Sequence, residues 1–174
     1  MTDWSNGLGE KPDWDTFFMS EAFVTSQRSI DNSTVHGAVW VSKNNLVLSK
    51  GYNGPIAGME DSNVPQTRPE KYPWLIHAED NAILNFYGSK SDTVGSSMYI
   101  TGRCCSVCLR SMIQKGICRI IYGHVGSDCV DIKDLKIQEK MLQLNPHVKL
   151  VQFNDMKKVI KLLNRTIDYI NYKA

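Results

Sequence analysis

His77 and Glu79 stand two apart in the apolar run WLIHAEDNAIL (residues 74–84), and TGRCCSVCLRSMI (residues 101–113) follows with Cys104, Cys105 and Cys108. Imidazole and thiolate are zinc ligands, and a carboxylate beside them is a proton carrier. Both stretches sit where a loop or strand enters a helical pattern. The unpaired N–H groups and partial positive charge of a helix start favour thiolate, the form that binds metal. A Cys-x-x-Cys across a first turn aims both sulfurs at one point. A histidine from a neighbouring helix adds a third donor and leaves a tetrahedral zinc one open position, as catalytic sites have. Water in that position has its pKa lowered toward ~7. Glu79 can reach such a water without binding the metal, take its proton and pass it to a leaving group, an effect of roughly 10²–10⁴ in rate.

A closed structural centre is the competing reading. It needs a fourth protein donor, which His36, His124 or Cys104 can supply. Cys104 also rivals Cys105 as a ligand, although only Cys105 and Cys108 have the two-residue spacing. Otherwise Cys104 is a small buried residue. Cys118 and Cys129 have no partner at ligand spacing and read as packing residues.

The elements that must position these groups follow from periodicity and turn chemistry. DWDTFFMSEAFVTSQRS (13–29) is a helix started by Asp13 or Asp15, with Phe17, Phe18, Ala22 and Phe23 as its core stripe. VHGAVWVS and NLVLSKGYNG are strands joined by a hairpin turn at Lys43-Asn44-Asn45. Residues 54–73 hold Gly, Pro and polar residues and read as a long surface loop, a length that is usually functional. HAEDNAILNFYG is a helix ending near Gly88. SSMYIT, CRIIYG and HVKLVQF are strands. They alternate with the helices SVCLRSMIQKG (stopped by Gly116), DLKIQEKMLQLN and the final DMKKVIKLLNRTIDYINY. A hairpin followed by alternating units implies an α/β fold: one mixed sheet with helices on both faces.

The 174 residues, 42% of them apolar, fit a single domain spanning 1–174 with a real core. Twenty basic against eighteen acidic residues leave a formal charge of +2, which argues against a nucleic-acid binder with its basic stripe. Residues 1–12 read as a loose polar leader without the apolar region of a secretory signal. No stretch approaches the ~20 apolar residues of a membrane helix. The expectation is a cytoplasmic protein, in which clustered cysteines mean metal or catalysis rather than disulfides.

SQRS, GYNGPIAG, HAEDNAIL, TGRCCSVCLRSMIQKGI and RIIYG occur in that order over about residues 15–125. This ordered set resembles the zinc-dependent cytidine deaminase superfamily and, within it, the deoxycytidylate (dCMP) deaminases. The resemblance implies a three-layer α-β-α fold with a mixed five-stranded sheet. It makes His77, Cys105 and Cys108 the ligands of Zn2+ and Glu79 the proton shuttle. Attack on C4 of cytosine would then release ammonia and leave dUMP, feeding dTMP synthesis. It places Asn53 on the nucleotide sugar or base edge and the Ala78 backbone N–H on the pyrimidine. Arg28 and Ser29 are candidates for the 5′-phosphate, and Tyr122 for the nucleotide pocket. It further implies a homohexamer, activated by dCTP with Mg2+ and inhibited by dTTP, with effector contacts around Gly51, Tyr52 and Gly54.

Two departures from that pattern stand out. Cys104 occupies the position where such proteins usually have proline. Residues 54–76 contain no His or Cys, so one zinc per subunit is expected rather than a second, structural one. Plainer readings exist for the outer residues. Arg28 can be a solvated charge, Ser29 a helix-end polar group, Asn53 a turn residue in YNGP, Ala78 a helix former, and Tyr122 a packed aromatic. Rival functions are a deaminase acting on RNA or on free nucleosides, and a non-catalytic zinc module.

Overall fold

The computed structural model describes residues 11–125 and 130–173. Most of the expected leader, residues 1–10, and Cys129 lie outside the described residues.

Helix α1 (Trp14–Ser26) starts where Asp13 accepts the Thr16 N–H at 2.8 Å, a side-chain cap for an otherwise orphan donor. Strands β1 (Gly37–Val41) and β2 (Val47–Tyr52) form the hairpin, and Asn45 at φ 61° takes the left-handed conformation its turn requires. Strands β3 (Gly54–Pro55) and β4 (Leu75–Ile76) pair with each other and close the base of the long loop. Then come α2 (Ala78–Leu84), a short α3 (Lys90–Thr93), β5 (Ser96–Ile100), α4 (Ser106–Gln114), β6 (Ile117–Tyr122), α5 (Ile132–Leu144), β7 (Lys149–Gln152) and α6 (Met156–Lys173).

The five long strands make one mixed sheet in the order β2-β1-β5-β6-β7, with β1 antiparallel to both neighbours and β5-β6-β7 parallel. Every residue of β1 is buried, as a strand covered on both faces must be. Alternation sorts its side chains. Ala38 and Trp40 join Met98, Ile100, Leu109, Met112 and Ile120 on the face that carries α2 and α4. Val39 and Val41 join Phe18, Met19, Tyr99, Ile121, Phe153 and Val159 on the face that carries α1 and α6. This is the expected three-layer arrangement.

Three details correct the sequence reading. Phe17 points outward at 36% exposure, edge-on to Trp14 and Phe18, and Met19 takes the core position instead. Helix α2 ends at Leu84, not near Gly88. The Asn85 amide turns back to the Lys50 carbonyl at 3.2 Å, and Phe86 packs its ring 4.8 Å from Trp40. The 54–73 segment is not wholly superficial, since Val64 and Lys71 are buried in it. No described helix is long and apolar enough to cross a membrane.

Candidate metal centre

A seven-residue helix is too short to be stable alone, so α2 owes its position to the sheet. Ser49 donates its hydroxyl proton to the Ala82 carbonyl at 2.6 Å, and the Asn81 amide reaches the Tyr52 carbonyl at 2.8 Å. Between these bonds lies Gly51. A Cβ there would sit 2.3 Å from both the Ala78 oxygen and the Ala82 nitrogen. Only a residue without a side chain lets the helix backbone come this close. Gly51→Ala therefore lifts α2 off β2 and moves His77 and Glu79 with it. Melting and bound-zinc measurements should show a loss of about 1–3 kcal/mol, the usual cost of overpacking, and a lower zinc content than the parent.

His77 is the N-cap residue of α2 and Cys105 the N-cap residue of α4, so both side chains leave their helices at the start of the first turn. The two helix starts face each other. His77 Nδ1 lies 3.6 Å from Cys105 Sγ and 3.3 Å from Cys108 Sγ. The three ligand atoms lie within 4.8 Å of one another. Tetrahedral zinc with ordinary Zn–N and Zn–S bonds sets its nitrogen and sulfur donors about 3.6 Å apart. Both nitrogen–sulfur distances suit that ion, and Nδ1 rather than Nε2 is the imidazole atom that faces the sulfurs.

The donors polarise one another. Cys105 is drawn down to about 4, first by the hydrogen bond from Cys108 and then, against burial, by His77. His77 is raised to about 9, chiefly by its contact with Cys105. Cys108 is pushed up by the same pairing with Cys105 and by burial. A divalent cation displaces the protons held in this network, because its ligands are neutral imidazole and thiolate.

The rival donors are elsewhere. Cys104, 1% exposed, is packed in the core and held as a neutral thiol by burial. His36 Nδ1 is 3.3 Å from the Thr101 hydroxyl, and His124 Nδ1 is 3.1 Å from the Gln152 amide. Among the described residues, the clustered donors are His77, Cys105 and Cys108. Three donors leave a tetrahedral ion one open vertex.

Glu79 is 7% exposed, and burial pushes its carboxyl up to about 7, opposed by the neighbouring His77. A carboxyl poised near neutrality takes and returns protons with little bias. Ala78 is the first residue of α2, so its N–H is one of the donors the helix itself leaves unpaired. One carboxylate escaped the sequence reading: Asp80 Oδ2 lies 3.7 Å from Cys108 Sγ.

The outer candidates are more dispersed. Asn53 is buried, and both its amide protons are committed, to Asp31 at 3.1 Å and the Thr34 carbonyl at 2.9 Å. Its oxygen accepts the His36 N–H at 2.6 Å and keeps one lone pair free of these contacts. Arg28 is exposed and lines a cavity of about 190 Å³ with Tyr52 and the segment Pro55–Met59. None of the metal-cluster residues lines that cavity. The Ser29 hydroxyl accepts the Asp31 N–H at 3.2 Å. Tyr122, on the face of the metal cluster, has its hydroxyl 3.2 Å from Arg103, whose guanidinium also lies 5.4 Å from the ring centroid. Gly54 pairs with Ile76 at the loop base.

A mixed sheet with two helix starts presenting an imidazole, two thiols and a buried carboxyl defines a candidate centre for a divalent metal. Residues 12–124 match the family described as the cytidine and deoxycytidylate deaminase zinc-binding region, and the chain belongs to that family. The chain is 38% identical over 116 residues to the deoxycytidylate deaminase of Mus musculus and 37% identical over 116 residues to that of Homo sapiens. In each case the match covers 63% of this chain and 64% of the relative. The fold is that of the dCMP deaminase from cyanophage S-TIM5, solved in complex with dCMP and dUMP. That match has a TM-score of 0.65 at 24% identity, covering 83% of this chain and 99% of that one.

Proposed function

We propose that this protein hydrolyses dCMP to dUMP and ammonia at one zinc ion per chain, held by His77 Nδ1, Cys105 Sγ and Cys108 Sγ. The observation that carries this reading is a buried, near-neutral carboxyl, Glu79, two residues from one donor of a three-donor cluster. The named relatives support dCMP as substrate.

When bound, zinc supplies the Lewis acid that makes water nucleophilic at neutral pH. Glu79 removes a proton from the attacking water as its oxygen bonds to cytosine C4. It delivers one proton to N3 and carries the other to the exocyclic N4 as the C4–N4 bond breaks. Both protons of the water are then placed, on N3 and on ammonia. The Ala78 N–H holds the pyrimidine, the Asn53 oxygen meets the nucleotide sugar, and Tyr122 borders the pocket. Arg28 and Ser29 take the 5′-phosphate.

Regulation is part of the same reading: dCTP with Mg2+ activates and dTTP inhibits, through the Gly51–Tyr52–Gly54 segment of a homohexamer. What supports it is position. Gly51 in this segment lies against the backbone of α2. A ligand on this segment thus bears on the strand that seats His77 and Glu79. The product would feed dTMP synthesis.

Ammonia release from dCMP, CMP, deoxycytidine and dCTP, each with and without dCTP and dTTP as effectors, tests the proposal. dCMP should be the preferred substrate. Equal kcat/KM on deoxycytidine would refute the phosphate site, and no release from any substrate by zinc-loaded protein would refute the activity.

A further inference from the structure

The turn that delivers Cys105 contains no proline, so no ring fixes its backbone. Helix α5 holds it instead. Gln138 on α5 is fully buried, at 0% exposure, an uncommon place for a glutamine. It spends its polar atoms on this one region. Its amide donates to the Cys104 carbonyl at 2.9 Å and to Asp134 Oδ2 at 2.7 Å, and its oxygen accepts from Arg103 Nε at 3.1 Å.

Asp134, one turn earlier on α5, faces the start of α4. Its two oxygens accept the Ser106 N–H at 3.1 and 3.0 Å and also the Ser106 hydroxyl. The carboxylate of one helix therefore caps the N-terminus of another. Asp131, the N-cap of α5, in turn caps Asp134 at 2.8 Å. Residues 103, 104 and 106, on both sides of Cys105, are all gripped from α5. That helix lies beyond residues 12–124, the part that defines the family.

We propose that Asp134 and Gln138 are positioning residues for the metal centre, a bracket from α5 that fixes the backbone on both sides of Cys105 and so aims its sulfur at the shared ion. The physical need is specific. Cys105 is an N-cap residue outside the regular helix, so its Cα–Cβ direction follows the turn before α4 rather than the helix ladder. The bracket also occupies the Ser106 N–H.

The inference rests on His77, Cys105 and Cys108 being the ligands. The test uses the zinc-loaded full chain, with Gln138→Met, Asp134→Ala and, as control, Val159→Ala in the core on the opposite face of the sheet. Zinc transfer to the chromogenic chelator 4-(2-pyridylazo)resorcinol is followed in time, alongside melting curves. Both bracket variants should release zinc about 10–100-fold faster, the usual effect of losing an outer support of a metal site. Val159→Ala should release it at the parent rate despite a lower melting temperature. Parent-rate release from folded bracket variants would overturn the inference, as would equal acceleration in Val159→Ala. Should Gln138→Met fail to fold, Asp134→Ala at its half-buried position decides alone. A parent that binds no zinc would refute the ligand set and the bracket together. A parent that holds zinc, with variants that hold it equally well, would refute the bracket alone.

Discussion

Glu79→Gln should, on the proposed function, yield a folded protein that keeps its zinc and turns over dCMP about 10²–10⁴-fold more slowly, the range for losing a positioned acid–base group. The amide has nearly the shape of the carboxyl but cannot accept the proton of the attacking water or return it to N3 and N4. The loss should fall on kcat. Stability should move the other way. Burial raises the Glu79 carboxyl to about 7 in the folded chain. The unfolded chain ionises at the ordinary carboxylate value, so the folded form loses stability as pH rises toward and through 7. A neutral amide carries no such penalty, and zinc-free Glu79→Gln should melt no lower than the zinc-free parent at pH 8. Wild-type turnover in a zinc-loaded variant would remove Glu79 from the chemistry. A variant that lost its zinc would instead assign Glu79 to the metal.

Lys71→Met carries the largest stability effect. Lys71 and Asp31 are 2% and 9% exposed, and the ammonium contacts both carboxylate oxygens, at 2.5 and 2.6 Å. The pair ties the 54–76 segment to the stretch between α1 and β1, and Asn53 shares the Asp31 carboxylate. Removing the cation strands a buried anion, which costs about 3–5 kcal/mol, or about 6–20 °C in melting temperature for a chain of this size. The pH dependence has a definite sign. Against the penalty of burial, Lys71 and the Ser33 and Thr34 N–H groups hold Asp31 below the usual carboxylate value. Its contribution is present above the unfolded value and lost as pH falls through the depressed folded one. The gap between parent and Lys71→Met should therefore narrow in acid. Adding Asp31→Asn removes the stranded charge, so the double variant should melt above Lys71→Met. Calorimetry across pH checks both statements. A double variant no more stable than the single one would show that the pair is not what holds the loop.

Both variants act through groups of different visibility in the sequence. Glu79 belongs to a local pattern. His77 and Glu79 share one first turn, Cys105 and Cys108 another, and strand alternation with helical spacing places both turns beside one sheet. Such signals extend over a few residues and survive in any chain that folds this way. Lys71 and Asp31 are forty positions apart in a polar loop and a helix exit, with no periodicity to connect them.

What the sequence determined by itself was therefore the kinds of groups at the centre: an imidazole, clustered thiols, a nearby carboxyl, and the helix–strand order that presents them. Tertiary structure alone decided that Nδ1 of His77 faces the sulfurs, that Cys104 is turned into the core, and that Asn53 is bound up with Asp31. It also decided that Phe17 faces outward and that α2 stops at Leu84. Above all, it placed Asp134 and Gln138 against a turn some thirty residues away. The reason is one of range. Residue type and short spacing set which bonds a side chain can make, whereas which partner it meets is settled only when distant segments close on one another and buried polar groups must find their complements.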